Sequence, residues 1–172
     1  LRALQAQIQP HFLYNSLDSI IWLLRMKKNE DAEKMLIELS SLFKIALSKG
    51  NEIISIQDEV KHISSYLFIS NMIYSKKFTY SIECDPSLYE YKTLKLLLQP
   101  LAENAILHAV PLPNERIHIH VSIFEKKSCL VLSVQDISTG IPPAKLKQLN
   151  ELLLSSQQPG NQTSGYGLYN VN

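Results

Sequence analysis

The chain has 172 residues, 45% of them hydrophobic and 19% charged, with 17 Lys+Arg against 16 Asp+Glu. That is enough apolar surface for one large or two small folded domains, and it excludes disorder on composition. Residues 1–75 carry eight basic and eight acidic side chains and residues 76–172 nine and eight, so neither half forms the basic patch that a nucleic-acid partner requires.

The expected elements run as follows. Residues 1–75 read as helix throughout, with Pro10 their one proline and Gly50 their one glycine. A first helix spans about Leu1 to Lys27, with Leu13, Leu17, Ile20 and Leu24 as its packing stripe. Asn29 is the expected N-cap of a second helix, with Glu30, Asp31 and Glu33 at its positive end, Lys49 at its negative end and Gly50 as its stop. Leu36, Leu39, Phe43 and Leu47 form its apolar face. A third helix starts near Ser55, with Asp58 at capping-box spacing and Ile56, Val60, Ile63 and Leu67 as its stripe. Phe78–Ile82 reads as a strand and Asp85-Pro86-Ser87 as a turn. Leu94 to Ala109 returns to helical spacing. Arg116–Phe124 alternates as a half-buried strand and Cys129–Val134 is another. Pro142-Pro143 opens a short helix to about Leu154, and Ser155–Ser164 is loop-like. Lys27-Lys28 and Lys126-Lys127 mark turns. No apolar run reaches the roughly 18 residues of a membrane helix. Cys84 and Cys129 make no C-x-x-C or zinc pattern and fit a reducing compartment. The chain opens in helical pattern at Leu1, with no initiator Met and no signal peptide, which reads as a piece of a longer protein.

On the first helix His11, Asn15, Asp18 and Trp22 fall within about 60° of one another, opposite the apolar stripe. Pro10 directly before His11 predicts a kink that presents the imidazole outward, and Trp22 on the same face suits a partner domain. A neutral imidazole nitrogen attacks an electrophile without a strong base. A solvated histidine on a helical bundle explains the same spacing.

The segment Leu4-Gln5-Ala6-Gln7-Ile8-Gln9-Pro10-His11-Phe12-Leu13-Tyr14-Asn15-Ser16-Leu17 resembles the phosphoacceptor box of sensor histidine kinases of the LytS/YesM type. The resemblance implies that His11 takes the γ-phosphate of ATP and that Asn15 orients the ring or a hydrolytic water. Where many histidine kinases place an acid directly after the histidine, this chain has Phe12, so adjacency does not identify the general base.

The second informative stretch is Leu97-Leu98-Gln99-Pro100-Leu101-Ala102-Glu103-Asn104-Ala105-Ile106-Leu107-His108. On a helix Asn104 and His108 share a face with Leu97 and Leu101, a polar pair suited to an oxygen-ligated cation and its phosphates. Glu103 points about 100° away, toward an incoming histidine. A loop-capping Asn104 and a helix-ending His108 fit the spacing equally. Asp136 ends a strand, where a carboxylate accepts a proton from an amino group such as that of adenine; Gly140 follows, allowing close backbone approach. Four of the five glycines, Gly140, Gly160, Gly165 and Gly167, lie after residue 135, as in a loop whose N–H groups run along phosphates. In order, Glu103-Asn104, Asp136…Gly140 and Gly165-x-Gly167-Leu168 resemble the N, G1 and G2 boxes of the GHKL ATP-binding fold. This implies magnesium contact by Asn104, adenine recognition by Asp136, and a phosphate-covering lid between about Leu154 and Gly167.

Two departures stand out. Ser138 replaces the first glycine of the usual D-x-G-x-G, which costs about 1 kcal/mol or more if that position needs positive φ. The family's sheet also continues past the point where this chain stops at Asn172. His118 and His120 point off a strand's apolar face and read as solvated, as does His62 on the third helix.

The expected architecture is therefore α+β. A helical hairpin over 1–52, a four-helix bundle as a homodimer, precedes a GHKL-type α/β sandwich with a mixed sheet over 53–172, incomplete at its C-terminal strands. The implied activity is that of a two-component sensor histidine kinase: ATP and Mg2+ are the cofactors and a response-regulator receiver domain is the partner. The implied location is the cytoplasmic part of a bacterial membrane protein anchored by an upstream segment. The competing readings are a degenerate nucleotide-binding and dimerisation module, which Ser138 would favour, and an ATPase that uses water as acceptor.

Overall fold

The computed structural model describes residues 10–47, 52–109, 117–136 and 147. Helix α1 (Pro10–Arg25) and helix α2 (Asn29–Ala46) form a hairpin. Strand β1 (Ile53–Ser55) leads into helix α3 (Ile56–Ile73) and strand β2 (Phe78–Cys84). After a 3₁₀ turn at Pro86–Leu88 come strand β3 (Lys92–Leu94), helix α4 (Leu98–Ala109), and strands β4 (Ile117–Lys126) and β5 (Cys129–Asp136). The mixed sheet has the order β2-β4-β5, with β2 parallel and β5 antiparallel to β4, while β1 and β3 pair in a separate antiparallel ribbon.

Turn chemistry accounts for the boundaries. Lys27 sits at φ 58° with its N–H on Leu24 O, and the Lys28 N–H reaches Leu23 O. This Schellman closure turns α1 back into α2 at a residue that is not glycine. Ser75 ends α3 in the same way, with Ser75 N on Met72 O and Lys76 N on Asn71 O. Lys127 and Ser128, both at positive φ, form the tight turn of the β4–β5 hairpin. Ser55 caps α3: its Oγ accepts from Asp58 N at 3.1 Å and donates to Asp58 Oδ2 at 2.8 Å.

One face of the sheet carries Phe78, Tyr80, Ile117, Ile119, Val121 and Ile123 against the helices. The alternate positions carry Thr79, Ser81, His118 and His120. There Thr79 Oγ1 and Ser81 Oγ lie 2.8 and 2.9 Å from the His118 ring nitrogens, and Ser81 Oγ lies 2.8 Å from His120 Nδ1. The two histidines thus point off the apolar face as expected, half-buried within a hydroxyl ladder. Among the described residues no cluster of His, Cys, Asp and Glu has the makings of a metal site, both cysteines are free, and no helix is long and apolar enough to cross a membrane.

Several expectations are corrected. Residues 53–55 form a strand, because Ile53 and Ser55 pair with Leu94 and Lys92; a three-residue ribbon has too little periodicity to be visible in sequence. Asn29 is the first residue of α2, the cap position falls on Lys28, and no side chain caps it; the α1 closure already fixes the chain direction there. Helix α4 starts at Leu98, since Leu94 is in β3 and Leu96 adopts φ 65°. The buried face of α1 is Ser16, Ile20 and Leu23, with Phe12 and Leu13 packed beside them, while Leu17 and Leu24 are exposed. The packing face thus keeps Leu13 and Ile20 of the expected stripe and is rotated by about 60° from it, because α1 seats against both α2 and α3. His62 is fully buried and both of its ring nitrogens lack a hydrogen-bond partner. It follows Glu59 by one turn on the inner side of α3, a face wider than its apolar stripe. The kink at Pro10, the stop at Lys49-Gly50, the 142–154 helix and the 155–164 loop lie outside the described residues, save for helical Lys147.

Glu59 is the other buried ionisable group of α3. Its Oε2 accepts from Leu96 N at 2.9 Å and its Oε1 from Leu98 N at 2.8 Å. Burial raises its carboxyl above the usual range, and the Leu98 and Leu96 N–H groups pull it back. Glu59→Leu strands both donors in the core and should cost about 3 kcal/mol in urea unfolding.

His62 gives a pH signature. Burial, and then the charge of Lys95, lowers its pKa from 6.5 to about 4. Between those values the unfolded chain binds the proton more readily. The stability His62 contributes is therefore complete above about pH 6.5 and falls, by about 3 kcal/mol at most, as the pH drops toward 4. Glu59, raised rather than lowered, contributes stability that is present at low pH and lost as the pH rises through its folded value. Comparing wild type with His62→Leu isolates the histidine: the wild-type advantage in urea midpoint should shrink from about pH 7 to pH 4.5. A pH-independent difference removes His62 as its source.

Candidate functional site

The Glu59 clamp sets where α4 begins, and hence where its polar residues face. Leu98, Ala102, Ala105 and Ile106 are the buried face of α4, while Leu97 and Leu101 are only half-buried. This turns the expected Leu97–Leu101 stripe to the edge of the core. Asn104 and Glu103 are half-buried. His108 lies in the last turn of α4, and its side chain is outside the described residues.

His11 is exposed on the first turn of α1, and the Asn15 amide nitrogen lies 3.3 Å from its Nδ1 and 3.4 Å from its Nε2. The amide is almost equidistant from the two nitrogens, so it restrains the ring without selecting a tautomer. Next to His11, Phe12 turns inward and stacks on Tyr66 of α3, with ring centroids 5.2 Å apart and planes at 24°. Ser16 Oγ returns its hydrogen to Phe12 O at 2.7 Å, which satisfies a buried hydroxyl inside the helix.

This seating closes a groove of about 150 Å³ whose walls include His11 and Asn15 of α1, Tyr66 of α3 and Tyr74 just after it, and Glu103 and Leu107 of α4. His11, Asn15 and Glu103, taken from two distant stretches of sequence, therefore face one space. Burial pushes the Glu103 carboxyl above its usual range, and the Gln99 amide, donating to Oε1 at 2.8 Å, works against it. A carboxylate with a raised pKa on the wall of a groove that an imidazole also lines is suited to receive a proton.

Asp136 ends β5 opposite Ile119. By the pleat it lies on the sheet face that carries the buried Ile119 and is covered by helices, and it is itself exposed. Helix α4 packs against both β4 and β5. Asn104 and Asp136 do not line the His11 groove; they occupy α4 and the adjoining strand end. Gly140, Gly165, Gly167, Leu168 and Ser138 lie outside the described residues.

A second, larger groove of about 570 Å³ follows α1 toward its C-terminus, between Asp18, Trp22, Lys28 and the end of α3. Ile73 lines both grooves. Trp22 is exposed, with Lys28 Nζ 5.8 Å from its ring centroid.

Sequence reasoning passed over Tyr66 and Glu59. Tyr66 is one of many apolar positions on α3. Glu59 stands beside Asp58, where acids are ordinary at a helix start.

Residues 1–78 match the family described as "Histidine kinase" and residues 90–172 the one described as "Histidine kinase-, DNA gyrase B-, and HSP90-like ATPase". The chain is 32% identical over 173 residues to Sensor protein LytS of Bacillus cereus, a match covering 100% of this chain and 28% of that protein. It is 33% identical over 141 residues to Sensor histidine kinase YesM of Bacillus subtilis, covering 82% of this chain and 24% of that protein. It is 30% identical over 174 residues to Sensor histidine kinase/phosphatase LytS of Staphylococcus aureus, covering 100% and 29%. The chain thus spans 24–29% of the length of these relatives.

Gln99→Leu removes the donor that favours the charged form of Glu103. The Glu103 carboxyl resonance, followed by NMR across a pH series, should titrate at higher pH in the variant than in wild type. An unchanged or lower midpoint contradicts the role given to Gln99.

Proposed function

We propose that this chain, which belongs to the LytS/YesM type of sensor histidine kinases, transfers the γ-phosphoryl group of ATP to His11 and passes it on to a response-regulator aspartate. The observation that carries this reading is the groove shared by His11, Asn15 and Glu103, on the helix that also bears Asn104.

An imidazole nitrogen of His11 forms the N–P bond as the O–P bond to the departing ADP breaks. The proton released from the ring passes to Glu103, whose buried setting favours acceptance. Asn15 holds the ring in line. The half-buried Asn104 fits a magnesium ion by donor type, since its amide oxygen is a hard ligand and Mg2+ takes few ligands from protein. Asp136, exposed on the face next to α4, fits the adenine amino group; His108, Gly140, Gly165, Gly167 and Leu168 would complete the cradle. Bound Mg-ATP supplies the phosphoryl group and a metal that spreads the charge it gathers during transfer. The chain divides into a phosphoacceptor hairpin through residue 52 and an ATP-binding part from residue 53.

The hairpin also leaves Tyr14, Leu17, Ile21 and Leu24 exposed in one strip of α1, with Leu36 and Ile37 exposed on α2. A second hairpin laid on these residues gives a four-helix homodimer. By family, the chain is the cytoplasmic part of a sensor anchored in a bacterial membrane. No feature of the described residues favours a degenerate module over a kinase.

Labelled ATP tests the reading. Wild type should acquire acid-labile label and His11→Gln none; label retained by the variant removes the histidine-kinase function. Glu103→Gln should slow labelling by about 10²–10⁴-fold with Mg-ATP affinity intact, the range of a lost general base. In calorimetry Asn104→Ala should weaken Mg-ATP binding about tenfold or more; normal binding removes its metal role.

A further inference from the structure

We propose that His11 is phosphorylated in cis, by the ATP-binding part of its own chain, and that the Phe12–Tyr66 stack is the positioning contact that selects this geometry. The inference rests on the kinase reading above and adds which subunit serves which histidine.

Three observations converge. The groove that His11 enters is completed by α3 and α4 of the same chain, with Glu103 on its wall. Phe12 and Tyr66 fix the approach: Tyr66 is only 5% exposed, and its ring lies flat on Phe12 at 5.2 Å. With Phe12 pinned, His11 is set about 100° round the helix, over the groove.

The hairpin is also tied to α3 along its length. Glu38 of α2 accepts from Ser65 Oγ at 2.7 Å, and Lys34 Nζ lies 4.9 Å from the Phe68 ring centroid. Ile20, Leu23, Met35 and Leu39 of the hairpin join Ile63 and Tyr66 in one continuous core. Delivering His11 to another subunit would require opening that core. The exposed α1 strip that suits a second copy is centred about 100° from His11, so pairing there leaves the groove to its own chain.

The test uses full-length chains in two tagged forms. One carries His11→Gln and the other Asn104→Ala, and mixed dimers are isolated through both tags. Transfer in cis predicts no label on the Asn104→Ala chain, because its intact histidine faces a disabled site. A mixed dimer of wild type with the doubly substituted chain should label its wild-type subunit at the wild-type rate. Label on the Asn104→Ala chain within about tenfold of the wild-type rate overturns the proposal, as does failure of the wild-type subunit to label beside the doubly substituted one. Label on a His11→Gln homodimer is a different failure, that of the kinase reading itself. Where chains do not pair, labelling per chain should be independent of protein concentration; a rate proportional to concentration overturns the proposal.

The stack has its own readout. Tyr66→Leu should lower kcat for self-labelling at least about tenfold while KM for ATP is held, and Tyr66→Phe, which keeps the ring, should restore it. Loss in both variants, or in neither, removes the stack as the positioning contact.

Discussion

A carboxylate deep in the core, accepting from two backbone N–H groups, fixes the geometry from which the site follows. Glu59 lies under the start of α4 and takes the Leu96 and Leu98 donors, one on each oxygen. Burying a carboxyl costs several kcal/mol, and each charge-assisted bond returns about 1.5–3. The pair of bonds offsets part of that cost, and burial still leaves the carboxyl above its usual range. The same contact holds Leu96 at φ 65°, a conformation that a leucine adopts only under constraint. With the entry to α4 defined, Glu103 is turned toward α1 and Asn104 about 100° away from it.

Helix α3 is the beam between the hairpin and α4. Its N-terminus is capped by Ser55 and tied to the ribbon through Ile56 N on Tyr91 O and Gln57 N on Tyr89 O. Its middle holds α4 through Glu59. Its other flank holds the hairpin through Ser65, Tyr66 and Phe68. Helix α1 then presents three different surfaces. Phe12, Ser16, Ile20 and Leu23 face inward, His11 and Asn15 border the groove, and Tyr14, Leu17, Ile21 and Leu24 face out. A helix with apolar residues on more than one side serves more than one partner.

That division explains what was legible in the sequence. Local rules carried the Ser55 cap, the strands around Phe78, Ile117 and Cys129, and the lysine-marked turns, because each depends on neighbours within a few residues. The α1 stripe was misjudged because its apolar positions span two faces, and periodicity finds their mean rather than the half that packs within the chain. His62 was misread because a histidine on a helix carries no local sign of burial; its burial is set by packing across the fold, and the charge that acts on it, Lys95, is distant in sequence. The β1–β3 ribbon and the late start of α4 are likewise products of pairing across about 40 residues of sequence. Among the candidate site residues, the motif stretches identified His11, Asn15, Glu103, Asn104 and Asp136. Their grouping, with the first three at one groove and the last two outside it on α4 and at the end of β5, came only from the packing of the elements.

Glu59 and Glu103 show why residue type alone does not assign a role. Burial raises both carboxyls. Glu59 has both oxygens committed to backbone donors, in a pocket with no exposure. A reacting group could take either oxygen only by displacing a backbone bond that locates α4, so chemistry at Glu59 would come at the expense of the fold. Glu103 has Oε1 engaged by an adjustable side-chain amide and stands on the wall of a groove opposite an imidazole. The first carboxyl builds the site by having both oxygens committed to the backbone, and the second stands on the wall of a groove.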